Sequence, residues 1–332
     1  MKTILSNQRL WLLLLIGIML VYPFLFGQSG YFFTLFVMSS IYVISAMGLN
    51  LLVGNGGQIS VGHAGFLTVG CYTVAILTTK VGLPFFLVLP LAGVVTALIG
   101  LIIGLPAVRL KGHFLAVATL GFGISIPQIA LNWNTLTGGY SGLAISRPDW
   151  LSSNLTFFYL IIAILVLITW LIHNILKSTL GRAFVAIRDS EVAAQSTGIN
   201  LSFYKTVMFM ISAFFTGIAG GIYGFWFGYV SPNDFTITTS FLLLAMIVVG
   251  GLATIPGAII GAVIFTILPE LTRSFVGLNN IITGIAVVLS ILFLPKGLVY
   301  IFELFKRKSI KGEFEKVDIP ENAERVVKNA NI

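Results

Sequence analysis

Long apolar segments that are almost free of charged residues follow one another along most of this chain. Each is close to the ~20 residues that a helix needs to cross the ~30 Å hydrocarbon core of a bilayer. Of the 332 residues, 57% are hydrophobic and 9% are charged, whereas soluble domains carry about 25% charged residues. The pattern predicts an all-α polytopic membrane protein with spans at 10–26, 32–53, 61–79, 84–108, 114–131, 157–176, 206–229 and 281–301.

One further apolar stretch, 240–270, is too long for a single ordinary span. Gly250, Gly251, Pro256 and Gly257 interrupt it, so we interpret it as two shorter, broken or re-entrant segments. The chain then has ten transmembrane helices, or eight and a re-entrant hairpin, and both counts stay open. The first span resembles a signal peptide, but no small-residue cleavage site follows it, so we interpret it as a retained helix.

The basic residues predict the orientation of the chain. If the N-terminus is cytoplasmic, all 19 Lys and Arg residues except Lys80, Arg147 and Arg273 fall on the cytoplasmic side. This bias follows the positive-inside rule and favours an even number of spans with both termini inside. The chain divides into a transmembrane domain over 1–302, which includes a cytoplasmic loop over 177–205, and a charged cytoplasmic tail over 303–332.

The net charge of +8 has the same explanation, so we expect no nucleic-acid partner. The basic run at 306–308 suits anionic membrane lipid. The single cysteine, Cys71, lies in an apolar run and excludes both a disulfide framework and a thiolate metal site. The sequence contains no P-loop and no recognisable catalytic or metal-binding motif. We therefore expect no catalytic residue, no bound metal and no ATPase site in this chain.

Glycines and polar residues interrupt the apolar chain between 48 and 66. Non-helical backbone at membrane depth is tolerated only inside protein or beside a watery cavity, so we interpret this stretch as a broken helix on a substrate path. The alternative is a tight interfacial turn whose glycines let helices approach closely. The polar side chains assigned to the path are Asn55, Gln58, Ser60 and His63.

A second glycine-rich stretch lies in the predicted external loop, 132–156. Glycine permits positive φ angles and a close approach of the backbone, and a loop of this kind just outside the membrane could gate substrate entry or bind a partner. An ordinary surface turn is equally compatible with the composition. The residues selected here are Thr137, Gly138, Gly139 and Gly142.

The cytoplasmic loop contains a third candidate segment, 181–198. We predict two short helices here, with Ser190 as the N-cap of the second and Gly198 after its end. On the first helix, Phe184 and Ile187 share one face, while Arg182 and Arg188 are left for water. The two helices could dock into a groove on a soluble partner; the alternative is a solvated connector.

Ionisable residues are missing from the middle of the predicted spans. Proton- and ion-driven carriers usually keep such groups inside their spans, so this absence favours transport that is powered from outside the chain. A self-sufficient channel or secondary carrier, and a membrane-embedded scaffold, remain the alternatives. A faint similarity between the glycine-rich stretches 53–64 and 249–258 is either an internal repeat, as in many transporters, or a chance match.

Taken together, these stretches resemble the LivM-type permease subunit of branched-chain amino acid ABC importers. The resemblance covers about residues 30–300. It is carried by the segments 48–66, 136–143, 181–200, 204–205, 228–232, 250–257 and 294–298.

The resemblance implies an ABC importer permease-like fold in a prokaryotic inner or plasma membrane. The chain would form half of a pore with a homologous second permease subunit. Two cytoplasmic ATPase subunits that use ATP–Mg would drive it, and an extracytoplasmic binding protein would deliver leucine, isoleucine or valine. Relatives that import urea, other small amides or other amino acids leave the substrate open. The segment 181–198 would couple to an ATPase through Gly181, Arg182, Ala186, Arg188, Glu191, Ala194 and Gly198.

Overall fold

A computed structural model describes residues 29–272, except for 108 and 111, together with 284, 285, 288 and 297–299. Within these residues the chain is a bundle of helices, which confirms the predicted all-α class. The predicted span 10–26 and the tail 303–332 lie outside the described residues, as does most of the span 281–301.

The helices begin and end close to the predicted boundaries. In chain order they are α1 Gly30–Asn50, α2 His63–Thr79, α3 Phe85–Ala107, α4 His113–Asn132, α5 Asn134–Thr137, α6 Asn154–Lys177, α7 Thr179–Asp189, α8 Glu191–Ser196, α9 Leu201–Phe227, α10 Ile237–Gly250 and α11 Ile255–Leu271. A π-helical turn, Leu51–Asn55, continues α1, and 3-10 turns cover Gly139–Ser141 and Asp149–Leu151. Two short strands, β1 Leu143–Ala144 and β2 Tyr229–Val230, pair antiparallel.

Five of the described helices are long and apolar enough to cross a bilayer, namely α1 with its π-helical turn, α3, α4, α6 and α9. The apolar helices α2, α10 and α11 are shorter. At 1.5 Å per residue, α10 spans only about 21 Å, less than the hydrocarbon core of a bilayer. The helix is interrupted between Gly250 and Ile255, where α10 ends and α11 begins. The prediction of two shorter segments in 240–270 is therefore confirmed.

The helices α10 and α11 form an antiparallel hairpin. A Cβ atom on Gly250 would lie 1.9 Å from the carbonyl oxygen of Gly257, and one on Gly261 would lie 1.9 Å from the carbonyl oxygen of Met246. The residues along α10 therefore meet those along α11 in reverse order. Only glycine permits backbones to approach this closely, which explains Gly250 and Gly257 among the residues that interrupt this apolar stretch.

Helix α9 is the centre of the bundle and packs against α1, α2 and α3. Its small residues allow this contact: a Cβ atom on Gly70 would lie 2.1 Å from the carbonyl oxygen of Gly217, and one on Gly220 would lie 2.2 Å from that of Leu67. In a bilayer the lipid chains are as apolar as the side chains, so close backbone packing rather than water exclusion holds such helices together.

Candidate functional site

The broken stretch predicted between 48 and 66 is present, and it joins α1 to α2 through a loop over 56–62. The start of α2 is held by side chains from other helices. Ser240 Oγ on α10 accepts a 2.9 Å hydrogen bond from the Ala64 N–H, and Thr119 Oγ1 on α4 accepts a 3.0 Å bond from the Val61 N–H. The Ala64 N–H, one of the first-turn donors of α2 that have no partner within the helix, thus finds a partner on α10, and the loop before α2 is held by α4.

His63 is fully buried at this junction. Its Nε2 lies 2.7 Å from Ser212 Oγ in the middle of α9, and its Nδ1 lies 3.2 Å from Ser60 Oγ. The imidazole therefore bridges the start of α2 and the central helix, as expected for a hydrogen-bonding histidine. The described residues contain no group of three His, Cys, Asp or Glu side chains that could bind a metal ion.

The other residues assigned to the substrate path lie beside the same junction. Asn55, Gln58 and Ser60 are all buried within the chain. The Gln58 carboxamide donates to the Gly56 carbonyl at 3.4 Å, and the Asn55 carboxamide donates to the Ala253 carbonyl at 3.5 Å. The structure thus brings these residues together with His63, and their role in transport stays a prediction.

The residues selected in the loop after α4 lie at the opposite end of the bundle from the break after α1. Thr137 Oγ1 donates to the carbonyl oxygens of Ala130 and Trp133. Gly138, Gly139 and Gly142 all have positive φ angles, between +55° and +74°. A Cβ atom on Gly142 would lie 2.2 Å from the Val230 carbonyl oxygen. The glycines therefore satisfy local backbone requirements, which does not distinguish a gate from an ordinary turn.

Two ionisable side chains are partly buried at that same end. The Arg147 guanidinium donates to the carbonyl oxygens of Phe225 and Trp226 and lies over the rings of Phe157 and Trp226; burial lowers its pKa. Burial also raises the pKa of the Asp234 carboxyl, and the hydrogen bond from the Ser231 N–H opposes that rise. Arg147 thus ties the loop after α4 to the end of α9.

The segment 181–198 forms the two predicted helices, α7 and α8. Ser190 Oγ accepts a 3.3 Å hydrogen bond from the Ala193 N–H, and Gly198 takes a φ angle of +85° after the end of α8, so both predicted caps are confirmed. Phe184 and Ile187 are buried in a cluster with residues of the π-helical turn and of α9. The apolar face of α7 thus packs on this chain.

Arg188 is exposed, as expected, but its guanidinium is not left to water alone. Its Nη1 donates a 3.1 Å hydrogen bond to the Gly54 carbonyl, and its Nη2 lies 3.0 Å from Asp189 Oδ1. Its stem also covers Gly57, whose Cβ position would lie 3.0 Å from Arg188 Cγ. The π-helical turn leaves the Gly54 carbonyl available, and the long arginine side chain reaches it. Arg182 is exposed as well, and the bond that its guanidinium makes within the described residues goes to the Lys177 carbonyl.

The remaining residues of this segment are divided between a buried and an exposed side. Gly181 and Ala194 are buried, Ala186 is half-buried and Gly198 is exposed. Glu191 Oε1 accepts a 2.6 Å hydrogen bond from the Lys205 ammonium, which is only 2% exposed. A cavity of about 550 Å³ opens beside this ion pair, between α8 and the start of α9.

Asn50, which the sequence analysis did not select, connects the end of α1 to the non-helical connection between α10 and α11. Its Nδ2 donates a 2.8 Å hydrogen bond to the Thr254 carbonyl, and its Oδ1 accepts a 2.9 Å bond from the Ala253 N–H. A Cβ atom on Gly54 would lie 2.3 Å from the Ala253 nitrogen. The available signal was a single carboxamide inside an apolar span, a type of residue that is costly there and usually has a partner.

The two glycine-rich stretches that look alike in the sequence therefore touch each other. The end of α1 contacts the α10–α11 break through Asn50 and Gly54, and α7 contacts the end of α1 through Arg188. A continuous series of polar and backbone contacts runs from the segment 181–198 to both breaks. Whether the stretches are copies of one repeat stays a prediction.

Comparison with known proteins identifies the family. The family model described as branched-chain amino acid transport system / permease component matches residues 31–294. The chain is 34% identical to the high-affinity branched-chain amino acid transport system permease protein LivM of Salmonella typhimurium and 32% identical to LivM of Escherichia coli. Each match covers 88% of this chain and 75% of the relative.

A more distant relative is the high-affinity branched-chain amino acid transport system permease protein LivH of Escherichia coli. It is 24% identical over 79% of this chain and 92% of its own length. No solved structure gives a significant match. The extent of the family match and the identity to LivM show that this chain belongs to the branched-chain amino acid transport system permease family.

Proposed function

We propose that this protein is one of two permease subunits of an ATP-driven importer, and that its substrates are leucine, isoleucine and valine. The observation that carries this proposal is the 34% identity to LivM over 88% of the chain. The buried glycine-rich junction supports it as well, because a transporter must move helices against one another while their backbones stay hydrogen-bonded.

The second subunit of the pore would be a homologous permease. The similarity to LivH over most of both chains supports this pairing, because two related chains can form a pseudosymmetric pore. An extracytoplasmic binding protein would deliver the substrate and supply most of the selectivity. The complex would lie in a prokaryotic inner or plasma membrane with both termini of this chain in the cytoplasm.

The surface for an ATPase subunit would be α7, α8 and the start of α9. Here Val192 is 77% exposed and Phe203 is 56% exposed, and the cavity beside Glu191 and Lys205 opens on the same side. Exposed apolar side chains around a polar cavity are typical anchors for a partner. ATP–Mg would be bound by the two ATPase subunits, because this chain has no P-loop.

Movement of the ATPases would reach the membrane through the contacts already described. A displacement of α7 carries Arg188 with it and therefore pulls on the Gly54 carbonyl at the end of α1. Through Asn50 the same displacement reaches the α10–α11 break. Helix ends and breaks absorb changes of φ and ψ more readily than regular helix does, so these points would act as the hinges of the permease.

Reconstitution tests the proposal. The chain is co-expressed with the second permease, the two ATPases and the binding protein of its own operon, and the complex is placed in proteoliposomes. We expect leucine import that needs both ATP and the binding protein. Import of urea or small amides in place of leucine would correct the substrate. Import by this chain without ATPases would instead identify a self-sufficient carrier or channel.

A further inference from the structure

The exposed faces of α3 and α4 differ in polarity, although both helices are exposed to a similar extent. Both helices expose much of their length, and each exposes residues at the three- and four-residue spacing of a single helix face. On α3 this face is apolar, and its exposed aliphatic side chains are Leu87, Leu91, Val94, Leu98, Ile102 and Leu105. That composition is the one expected for contact with lipid chains.

On α4 the corresponding face is polar over the half that leads to the loop 133–153. Its exposed residues are Gly121, Ser125, Gln128 and Asn132, which we call the α4 polar face. Ser125 Oγ donates to the Gly121 carbonyl, and Asn132 Nδ2 donates to the Gln128 carbonyl, each at 2.8 Å. The Gln128 carboxamide has no hydrogen-bond partner among the described residues.

Lipid is a poor environment for this face. The Gln128 carboxamide, and the hydrogen-bonding capacity that the backbone bonds of Ser125 and Asn132 leave over, cannot be satisfied in hydrocarbon; polar side chains inside spans therefore usually face protein or water. Lipid suits the exposed face of α3, since that face has no polar side chain that needs a hydrogen-bond partner. The two helices must therefore meet different surroundings in the assembled membrane protein.

Apolar residues border the α4 polar face on both sides. Ile124 and Ile129 lie on opposite sides of the line of polar residues, as the 3.6-residue period requires, and Trp133 lies at its end. Together with the polar residues they line an open groove of about 630 Å³. The groove combines hydrogen-bonding groups with aliphatic surface, and it has no charged side chain among its lining residues.

We propose that the α4 polar face lines the translocation path, opposite the second permease subunit, and contacts an aliphatic amino acid as it passes. The carboxamides and the hydroxyl would replace water around the ammonium and carboxylate groups, while Ile124 and Ile129 contact the aliphatic side chain. Uncharged partners bind such a zwitterion weakly, which lets it leave again. The inference rests on the proposed function and names a wall for the path of that importer.

The position of the face along the helix agrees with this assignment. It starts beside the loop that the basic residues place outside the membrane, where a binding protein would release its substrate. Towards the α7 end of α4, the exposed residues Phe114 and Val117 are apolar. A face that is polar at the outer end of α4 and apolar towards the other end suits a path that is open on one side at a time.

Cysteine labelling tests the proposal directly. The one native thiol of this chain, Cys71, is fully buried, so a new cysteine dominates the labelling of this chain once it is separated from the other subunits by electrophoresis. Ser125→Cys on the α4 polar face is compared with Val94→Cys on the aliphatic face of α3, each in the complete complex in proteoliposomes. A charged methanethiosulfonate reagent reacts with the thiolate, which forms in water and not in hydrocarbon. We expect labelling of Ser125→Cys to be at least about tenfold faster than that of Val94→Cys.

Transport after labelling gives the second measurement. The bulky label on Ser125→Cys should block leucine import, whereas treatment of Val94→Cys should leave import unchanged. Equal and slow labelling at both positions, or fast labelling at position 125 without loss of import, would overturn the proposal. The unmodified complex reports on the proposed function separately: if it imports no leucine, that function fails whatever the labelling shows.

A substitution without any reagent provides an independent test. Gln128→Leu removes the carboxamide from the path but leaves an exposed side chain of similar size, and Val94→Leu is the matched control on α3. We expect the Gln128→Leu complex to import leucine about tenfold more slowly, the factor that corresponds to the loss of one hydrogen bond of ordinary strength. Import at the wild-type rate by an assembled Gln128→Leu complex would contradict the assignment.

Discussion

The contact between Arg188 and Gly54 offers the sharpest test of the proposed coupling between the segment 181–198 and the transmembrane helices. Arg188→Ala removes a charged donor that lies 3.1 Å from the Gly54 carbonyl. Such a bond contributes roughly 1.5–3 kcal/mol when it is shielded from water. Because 36% of the Arg188 side chain is exposed, we take the low end, about 1.5 kcal/mol, which corresponds to a factor of about ten in an equilibrium constant.

The neighbouring ion pair with Asp189 adds little to this value. The Asp189 side chain is 63% exposed, and exposed pairs contribute about 0–1 kcal/mol. Asp189→Asn is therefore a matched control, because it weakens the ion pair and leaves the bond to Gly54 intact. Arg188→Glu replaces the donor by an acceptor that faces the Gly54 carbonyl and should have a larger effect than Arg188→Ala.

The assay measures leucine imported per ATP hydrolysed in proteoliposomes that contain the complete importer. We expect this ratio to fall about tenfold for Arg188→Ala and to stay near the wild-type value for Asp189→Asn. Co-purification of the ATPase subunits checks that the complexes are assembled. An assembled Arg188→Ala complex with a normal ratio would refute the coupling role. An equal loss in Asp189→Asn would assign the effect to the ion pair instead.

Three further substitutions, two of them with matched controls, test the packing and the buried polar contacts by thermal unfolding of the purified complex. Asn50→Leu leaves two backbone groups of the α10–α11 break without their partner and should cost about 2–4 kcal/mol. Glu191→Leu removes the acceptor of the buried Lys205 ammonium and should cost about 3 kcal/mol, whereas Glu191→Gln should cost less. Gly220→Ala forces a methyl group against the backbone of α2 and should cost at least about 1–3 kcal/mol; Gly30→Ala, where the space is open, should be neutral.

The melting temperatures of these variants can contradict the described contacts. A wild-type melting temperature for Asn50→Leu would mean that the carboxamide does not hold the two breaks together. Equal losses for the Leu and Gln variants of Glu191 would mean that the acceptor oxygen is not what stabilises the buried ammonium. Tolerance of Gly220→Ala would mean that α9 and α2 are farther apart than described.

Local signals made some of these features predictable from the sequence. Ser190 and Gly198 are recognisable as caps because capping depends on residues within one helical turn. The break between α10 and α11 is recognisable because Gly and Pro interrupt an apolar run. The hydrogen-bond partner of Arg188 could not be predicted from nearby residues, because that partner, Gly54, is 134 residues away in the sequence. Nothing near Arg188 distinguishes an arginine that binds a carbonyl from one that faces water.

Hydropathy and charge placement determined that this chain crosses the membrane several times, since the cost of burying charge in hydrocarbon applies to each segment separately. They do not determine which side of an apolar helix faces the protein, because hydropathy summed along a segment is unchanged when the helix rotates about its axis. Only the packing around α9 decided that His63 bonds Ser212 inside the bundle, and that α3 presents aliphatic residues outward while α4 presents Ser125 and Gln128.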